Sequence, residues 1–364
     1  MLRIATFNLE NLFTRPSAMS FPSDAPGRQA IEDHAELNGI VAKDAYGSDD
    51  KLRLIELSGV YKFHLLDPPD DALVLLQKIR GQLFKKPKNK PLEVVAGGRA
   101  EWTGWFELRR ENVEWPVTYN TGRVIAETHP DILIVVEVEN RPTLMRFCEQ
   151  VLAPKFQFTY PHCMVIDGND DRGIDVGIAS RFPIVDMRSH VDDLGANGKQ
   201  VFSRDCPEYD IDLPGGGRIV VIPNHLKSKR NGDDQVSLDR REAQAKQAHA
   251  IAMAALTRSD LVILGGDLND VPDSAPLASL FTDGFADVST HANWPQDRPG
   301  TYDTGLKTGK FDYLIMSPQL HSKLHDVGIE RRGTYHPKLW KSFGSVDKTS
   351  EASDHHLVWA DFDL

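Results

Sequence analysis

The sequence predicts a sheet-rich α/β domain, on three observations. Seven short segments, at residues 2–9, 131–138, 174–180, 218–224, 261–266, 311–316 and 356–363, are apolar or alternate apolar with polar side chains, as buried strands do. Segments of helical period lie between several of them. No strand and helix unit of fixed length recurs along the chain.

Taken in order, the first strand runs into residues 14–118, which interrupt what would otherwise be a short link to a helix at Asn120. They read as an insertion in a single domain spanning 1–364. Within it, Lys51–Phe63 and Asp71–Phe84 are predicted helices separated by Pro68 and Pro69, the second carrying a stripe of Leu73, Leu76, Ile79 or Arg80, and Leu83. Gly97 and Gly98 precede Trp102, Trp105, Phe106 and Trp115, a hairpin or loop rich in aromatic surface that serves as a lid or substrate platform or packs on the main domain. Asn120 and Thr121 predict the cap of a helix that ends at His129, where Pro130 forbids continuation. Thr143–Leu152 places Leu144, Phe147, Cys148 and Val151 on one helical face. The clearest helix is Ser237–Arg258, with Ala245, Ala248, Ile251, Ala252, Ala255 and Leu256 at helical spacing.

Composition bounds the partners. The 364 residues are 40% hydrophobic and 26% charged, enough to bury a large core. Lys and Arg total 42 against 53 Asp and Glu, a net charge of -11 that argues against holding a polyanion through overall charge alone. Any phosphate contact must be local or bridged by a cation. Lys85, Lys86, Lys88 and Lys90 are either such a contact or a solvated loop. Cys148, Cys163 and Cys206 form neither a metal-ligand cluster nor an even disulfide set, which points to a reducing compartment. The opening residues are too short and too polar for a signal peptide, and no run of about 18 apolar residues follows. A cytoplasmic protein without a transmembrane segment is expected; the oligomeric state is not legible.

The chemistry-bearing residues sit at strand ends. Burying charge is costly unless it is paired or bound to a metal, so such positions usually serve chemistry. Asn8 and Glu10 share strand parity in Phe7–Asn11, and an amide and a carboxylate on one side can hold a hard cation and a phosphate oxygen. Glu137 interrupts the apolar run Ile132–Val138 and is the best single metal-ligand candidate, while Glu139 reads as exposed at the strand end. His225 ends the strand Ile219–Ile222 extended through Pro223 and Asn224, placed to donate to a phosphate oxygen, with Lys227 and Lys229 adding positive charge. Gly265 and Gly266 allow close approach, and Asp267 and Asn269 alternate to one side, the first able to take a proton from water and the second to donate to a developing oxyanion. Asp312 can fix the tautomer of His355, which follows Ser353 and Asp354. Arg172, Asp175 and Arg181 either line the cleft, with Arg181 touching substrate, or form surface ion pairs.

Read together and in order, the segments FNLEN, DILIVVEVEN, GIDVGIASRFPI, NHLKSK, GGDLND, FDYLIMS and SDHH resemble the endonuclease/exonuclease/phosphatase superfamily, over residues 1–13 and about 120–364. EVEN, NHLKSK and the downstream RREAQA are most similar to its bacterial nuclease-like branches. Val136 stands where the family usually has Gln. The resemblance implies a four-layer α/β/β/α sandwich of two mixed sheets, with a long insertion after the first strand. It also implies a phosphodiester-cleaving site with Mg2+ or Mn2+ held by Glu137 together with Asn8, Glu10 or Asp354. In that reading Asp267 orients or deprotonates the attacking water, Asn269 stabilises the transition-state oxygen, His225 contacts the scissile phosphate, and His355, supported by Asp312, stabilises or protonates phosphate charge. The expected substrate is nucleic acid, DNA or RNA. The alternatives are a phosphatase or phospholipid- or sphingomyelin-type phosphodiesterase, and a non-catalytic scaffold.

Overall fold

Strand pairing follows the apolar runs in the computed structural model, which describes residues 1–12, 16–19, 24–69, 71–110, 116–170, 172–229 and 234–364. The chain divides into two compact units: the described residues within Met1–Phe13 and Val113–Leu364, and those within Thr14–Asn112.

The larger unit holds two six-stranded sheets. In the first, Leu2–Leu12 runs parallel to Ile132–Val138 and antiparallel to Leu357–Phe362; Leu324–Glu330 closes one side, and Asp175–Ser180 and His162–Val165 the other. In the second, Arg218–His225 and Val262–Asp267 are the parallel pair, flanked by Asp312–Met316 and Ala286–Asp287 on one side and by Glu208–Asp212 and Ile184–Arg188 on the other. Each sheet is therefore mixed.

Alternation along a strand explains the layers. Ile132, Ile134 and Val136 point into a core shared with Ile219, Val221, Ile263 and Leu314 of the second sheet. Their neighbours Leu133 and Val135 face the opposite way, onto Val124, Ile125, Leu144 and Phe147. Across the molecule, Val220, Ile222, Val262 and Leu264 pack on Ala245, Ala248, Ile251 and Ala252 of the long helix Gln235–Ala255. Both faces of each central strand are covered, which is why these strands read as continuous apolar runs. Each fully buried aliphatic side chain contributes about 1.5–3 kcal/mol. The result is a four-layer α/β/β/α sandwich.

Several local expectations are corrected. Asn120 and Thr121 do not cap a helix; the helix is Pro116–Thr128, and their buried side chains bind loop carbonyls, Asn120 Nδ2 to Ser350 O at 2.6 Å and Thr121 Oγ1 to Ala352 O at 2.9 Å. The segment expected as one helix from Thr143 is Arg141–Phe147, begun by the Asn140 cap, followed by a π-helical turn at Cys148–Leu152. That turn brings the buried Cys148 Sγ to 3.8 Å from Cys163 Sγ, a juxtaposition invisible in the sequence.

In the smaller unit, Asp24–Val41 and Ser48–Tyr61 are helices. The predicted helix over Asp71–Phe84 is absent: Val74–Arg80 is a strand paired with Thr103–Leu108, because Val74 and Leu76 alternate inward and set Leu76 opposite Phe106. Gly97 and Gly98 lead into a single turn, Arg99–Glu101, and not into a hairpin. Trp102 is buried and donates to Tyr46 Oη at 2.8 Å, Phe106 is buried, and Trp105 is exposed. Trp115 lies outside the described residues.

Candidate active site

Register brings the polar residues together. In the second sheet Asp267 is paired with His225 on one side and with Asp312 on the other, so three strand-end side chains stand in a row. Gly266, at φ +134°, makes this possible: a Cβ there would lie 1.9 Å from Asn224 O. In the first sheet Asn8 is level with Val136, one residue before Glu137.

The shared-parity argument for Asn8 and Glu10 does not hold, although both residues reach the site. Register shifts between Asn8 and Leu12 and between Val136 and Val138 mark bulges, and Glu10 and Glu137 take left-handed backbones there, at φ 49° and 61°. Glutamate rarely adopts this conformation, and such strain collects at functional sites. The bulges re-aim both carboxylates. Asn8 Oδ1 accepts from Glu10 N at 3.0 Å, holding the first bulge. Asn269 is likewise left-handed, at φ 54°, and its N–H donates to Asp267 Oδ1 at 2.8 Å, an Asx-type turn in place of strand alternation.

Asp267 is the hub. Its Oδ2 accepts from Asn8 Nδ2 at 3.2 Å and lies 3.8 Å from His225 Nε2 and 3.7 Å from His355 Nε2. Burial pushes its carboxyl up to about 7, against the pull of His355 and with Asp312 adding to the rise. His355 Nδ1 is 2.8 Å from Asp312 Oδ2. Burial disfavours the imidazolium, but Asp312 and Asp267 outweigh it and push His355 up to about 10. His225 goes the other way: burial, then the positive charge of Arg204 and of His355, holds it well below the usual histidine range. One imidazole is therefore cationic and the other neutral at pH 7. His225 Nε2 is 4.0 Å from Glu137 Oε1, which joins the two sheets' contributions.

Glu10, Asp354 and Glu137 form an acidic recess. Glu10 Oε2 accepts from Asp354 N at 3.0 Å. Glu10 keeps an open edge to solvent, yet desolvation and then the Asp354 and Glu137 charges push it up to about 7. Among the described residues no three His, Cys, Asp or Glu side chains converge as a complete metal site. The donor set still fits a hard cation of the Mg2+ kind, which keeps several waters and takes one or two carboxylates, and the mutual repulsion at Glu10 is what such a cation relieves.

Other predicted residues fall further out. Arg181 is corrected: its Nη1 pairs with Asp131 at 2.9 Å, beside Ser180 and Ile132, at the end of the sheet opposite Glu137 and roughly 20 Å away along a seven-residue strand. Lys229 is neutralised by Asp270 at 2.6 Å. Lys227 is beyond His225 and Leu226, its Nζ donating to Ser228 O at 3.3 Å. Arg172 pairs with Asp170 at 2.8 Å, Asp175 is buried, and Glu139 is half-buried. Sequence reasoning missed Arg204, only 4% exposed, its Nε 3.1 Å from Asp170 and its charge felt by Glu137, Asp267 and His225. It also missed Thr301, whose Oγ1 donates to Asp312 Oδ2 at 2.6 Å, and Ser353, whose Oγ donates to Asn8 O at 2.7 Å and accepts from His355 N at 3.0 Å. A lone Arg, Thr or Ser in a loop carries no periodic signal; only the buried partner reveals it.

No curated protein matches the sequence. Among solved structures the chain is similar to an endonuclease/exonuclease/phosphatase from Beutenbergia cavernae, with 20% identity, 68% of this chain and 66% of that one covered, and a TM-score of 0.50. It is also similar to truncated TDP2 from Caenorhabditis elegans, with 22% identity, 68% and 89% coverage and a TM-score of 0.49. Beta toxin from Staphylococcus aureus matches with 16% identity, 68% and 93% coverage and a TM-score of 0.44. The profile described as the Endonuclease/Exonuclease/phosphatase family matches residues 117–355, which takes in Glu137, His225, Asp267, Asp312 and His355. With more than half its length matched, the chain belongs to the endonuclease/exonuclease/phosphatase family of phosphoester-cleaving hydrolases.

Proposed function

We propose that this protein is a divalent-cation-dependent phosphodiesterase acting on nucleic acid, DNA or RNA. The observation that carries the reading is the meeting of Asp267 with His225 and His355 within 4 Å, where His355, just before Leu357–Phe362 of the first sheet, is held by Asp312 of the second and stands beside the acidic recess.

Phosphoryl transfer needs an aligned nucleophile, neutralised charge and help for the leaving oxygen. Ionised Asp267 orients water and takes its proton. Cationic His355, fixed by Asp312, donates from Nε2 to a phosphoryl oxygen, and neutral His225 donates to another. Asn269, turned by its left-handed backbone, adds an amide at the same edge. Glu137 and Glu10, with Asp354 and Asn8 beside them, would hold Mg2+ or Mn2+; bound there, the ion supplies charge neutralisation and lowers the pKa of coordinated water. No helix among the described residues is long and apolar enough to cross a membrane.

The test is a panel of single- and double-stranded DNA, RNA, bis-p-nitrophenyl phosphate, inositol phosphates and sphingomyelin, each with Mg2+, Mn2+ or EDTA. Nucleic acid cleavage that EDTA abolishes is the expected result. Turnover confined to a monoester or lipid would replace the reading, and no turnover of any phosphoester with cation bound would end it.

A further inference from the structure

Residues 78–90 carry six basic side chains, Lys78, Arg80, Lys85, Lys86, Lys88 and Lys90, and no acidic one, in a chain of net charge -11. All six are exposed, and among the described residues none of them forms an ion pair or a side-chain hydrogen bond. Two cations elsewhere in the same unit are paired with acids: Lys43 Nζ is 2.6 Å from Asp50, and Arg53 reaches Glu36 at 2.8 Å and Asp33 at 3.2 Å. Thr14–Asn112 contains fifteen basic and fifteen acidic residues, so the unit is neutral as a whole and gathers six of its basic residues on one stretch that has no acid.

That stretch is built, not a solvated tail. Val74–Arg80 pairs with Thr103–Leu108, setting Lys78 opposite Gly104 and Arg80 opposite Thr103. Gly81, at φ +74°, turns the chain against the backbone of Glu101 and Trp102, where any Cβ would clash at 2.5 Å. Phe84–Lys85 then pairs with Glu93–Val94, over buried Leu83 and Val94, and the Phe84 ring meets Phe63 at 5.7 Å. Lys90 N donates to Pro87 O at 3.1 Å, folding the lysine loop back. Six like charges held on a fixed ribbon repel one another, a cost that a bound polyanion offsets.

We infer that this ribbon binds the sugar-phosphate backbone of nucleic acid, as a local electrostatic foothold that the rest of the chain, at -11, does not provide. The choice of polyanion rests on the proposed phosphodiesterase reading. Backbone contacts of this type give affinity without sequence preference, and they release counterions, so binding weakens steeply with salt. Trp105, 41% exposed on the paired strand, offers a ring on which an unpaired base stacks. An anionic bilayer is the other polyanion, and it is disfavoured because Leu83 and Phe84 face inward, leaving Ile79 as the only outward large apolar side chain between 78 and 90.

The test is fluorescence anisotropy of labelled single-stranded and duplex oligonucleotides with the full chain in EDTA, where nothing is cleaved, over a series of salt concentrations. The variant K85Q/K86Q/K88Q/K90Q is expected to bind at least about tenfold more weakly and to flatten the log–log salt slope by about 3, one phosphate contact per lysine. K78Q/R80Q, on the strand instead of the loop, is expected to act in the same direction. Both keep wild-type melting and wild-type hydrolysis of bis-p-nitrophenyl phosphate, which has no neighbouring phosphates to hold. Unchanged affinity and slope in both variants would overturn the inference, as would wild-type binding to phosphatidylserine vesicles but not to oligonucleotides. Failure of the catalytic reading shows separately, as absent diester hydrolysis with salt-sensitive oligonucleotide binding intact.

Discussion

His355 Nδ1 lies 2.8 Å from Asp312 Oδ2, and that same oxygen accepts a 2.6 Å bond from Thr301 Oγ1. A completely buried carboxylate thus faces the imidazolium on one side and is anchored on the other, so the ring is held in one orientation and its Nε2–H is left to face Asp267 at 3.7 Å.

Removing the Asp312 charge tests that arrangement as a matter of positioning. Asp312→Asn leaves an acceptor for Nδ1 but withdraws the carboxylate that offsets burial, so His355 falls from about 10 toward neutrality. A cationic donor works below its pKa and is lost as pH rises through it. The alkaline limb of the pH–rate profile is therefore expected to move down toward neutral pH, with about a tenfold loss at pH 8. A uniform loss with no movement of the limb would assign Asp312 a purely structural role.

Asp267→Asn separates catalysis from stability. Loss of the base is expected to cost about 10³-fold in rate. The wild-type carboxyl is pushed up to about 7 by burial, with Asp312 adding to it and His355 opposing. A raised carboxyl is a liability above its unfolded value near 4, because the folded state must ionise it at a higher pH. In EDTA at pH 8 the variant should melt at or above the wild-type temperature, and a lowered Tm would show Asp267 to be a net stabilising ion.

Gly266→Ala probes the backbone on which the row of site residues depends. A methyl group there meets Asn224 O at 1.9 Å, between two paired central strands with no flexible side chain to yield, and φ +134° disfavours alanine as well. A loss of at least about 2–3 kcal/mol in denaturant unfolding is expected, together with loss of activity. Near-wild-type stability would mean that these strands separate easily, and the register argument for His225, Asp267 and Asp312 would weaken with it.

Much of this was legible in the sequence for a definite reason. Central strands such as Ile132–Val138 are buried on both faces, so a carboxylate among them, Glu137, stands out. Edge strands do not have that property. The edge strand Ile184–Arg188 exposes Val185 and Met187, and its inner neighbour Glu208–Asp212, though buried, alternates acidic with apolar side chains, so neither forms an apolar run. Val74–Arg80 reads as helical because Leu73, Leu76 and Leu83 recur at a helical period, while the inward pair Val74 and Leu76 spans a single strand period, and only the pairing with Thr103–Leu108 decides between them. At the site, Asn8, Glu10, Asp267 and Asn269 were found through an alternation that bulges and an Asx-type turn replace, since left-handed residues at Glu10, Glu137 and Asn269 leave no mark in sequence. Arg181 was misplaced because a motif gives order along the chain but not which end of a strand faces the cleft.

A last prediction concerns stability away from the chemistry. His190 bridges Glu208 Oε1 at 3.0 Å and Asp193 Oδ2 at 3.1 Å, while its N–H of the backbone donates to Asp205 Oδ1 at 2.7 Å. Gln247 holds Asp193 at 2.7 Å and Arg258 holds Glu208, so the acids are fixed before the imidazole is charged. The Glu208 hydrogen bond raises the His190 pKa, burial opposes it, and Asp193 adds to the rise. A histidine raised on folding contributes stability that is fully present below its unfolded pKa near 6.5 and lost as pH climbs through the folded value. His190→Gln should therefore lower stability by about 1.5–3 kcal/mol at pH 6, the scale of hydrogen bonds to charged groups, and by progressively less as the pH is raised above the ordinary histidine value. Thermal or urea unfolding of both proteins across that range measures the difference directly. A gap that widens with pH would mean that neutral His190 carries the contacts and that the two carboxylates do not hold its proton.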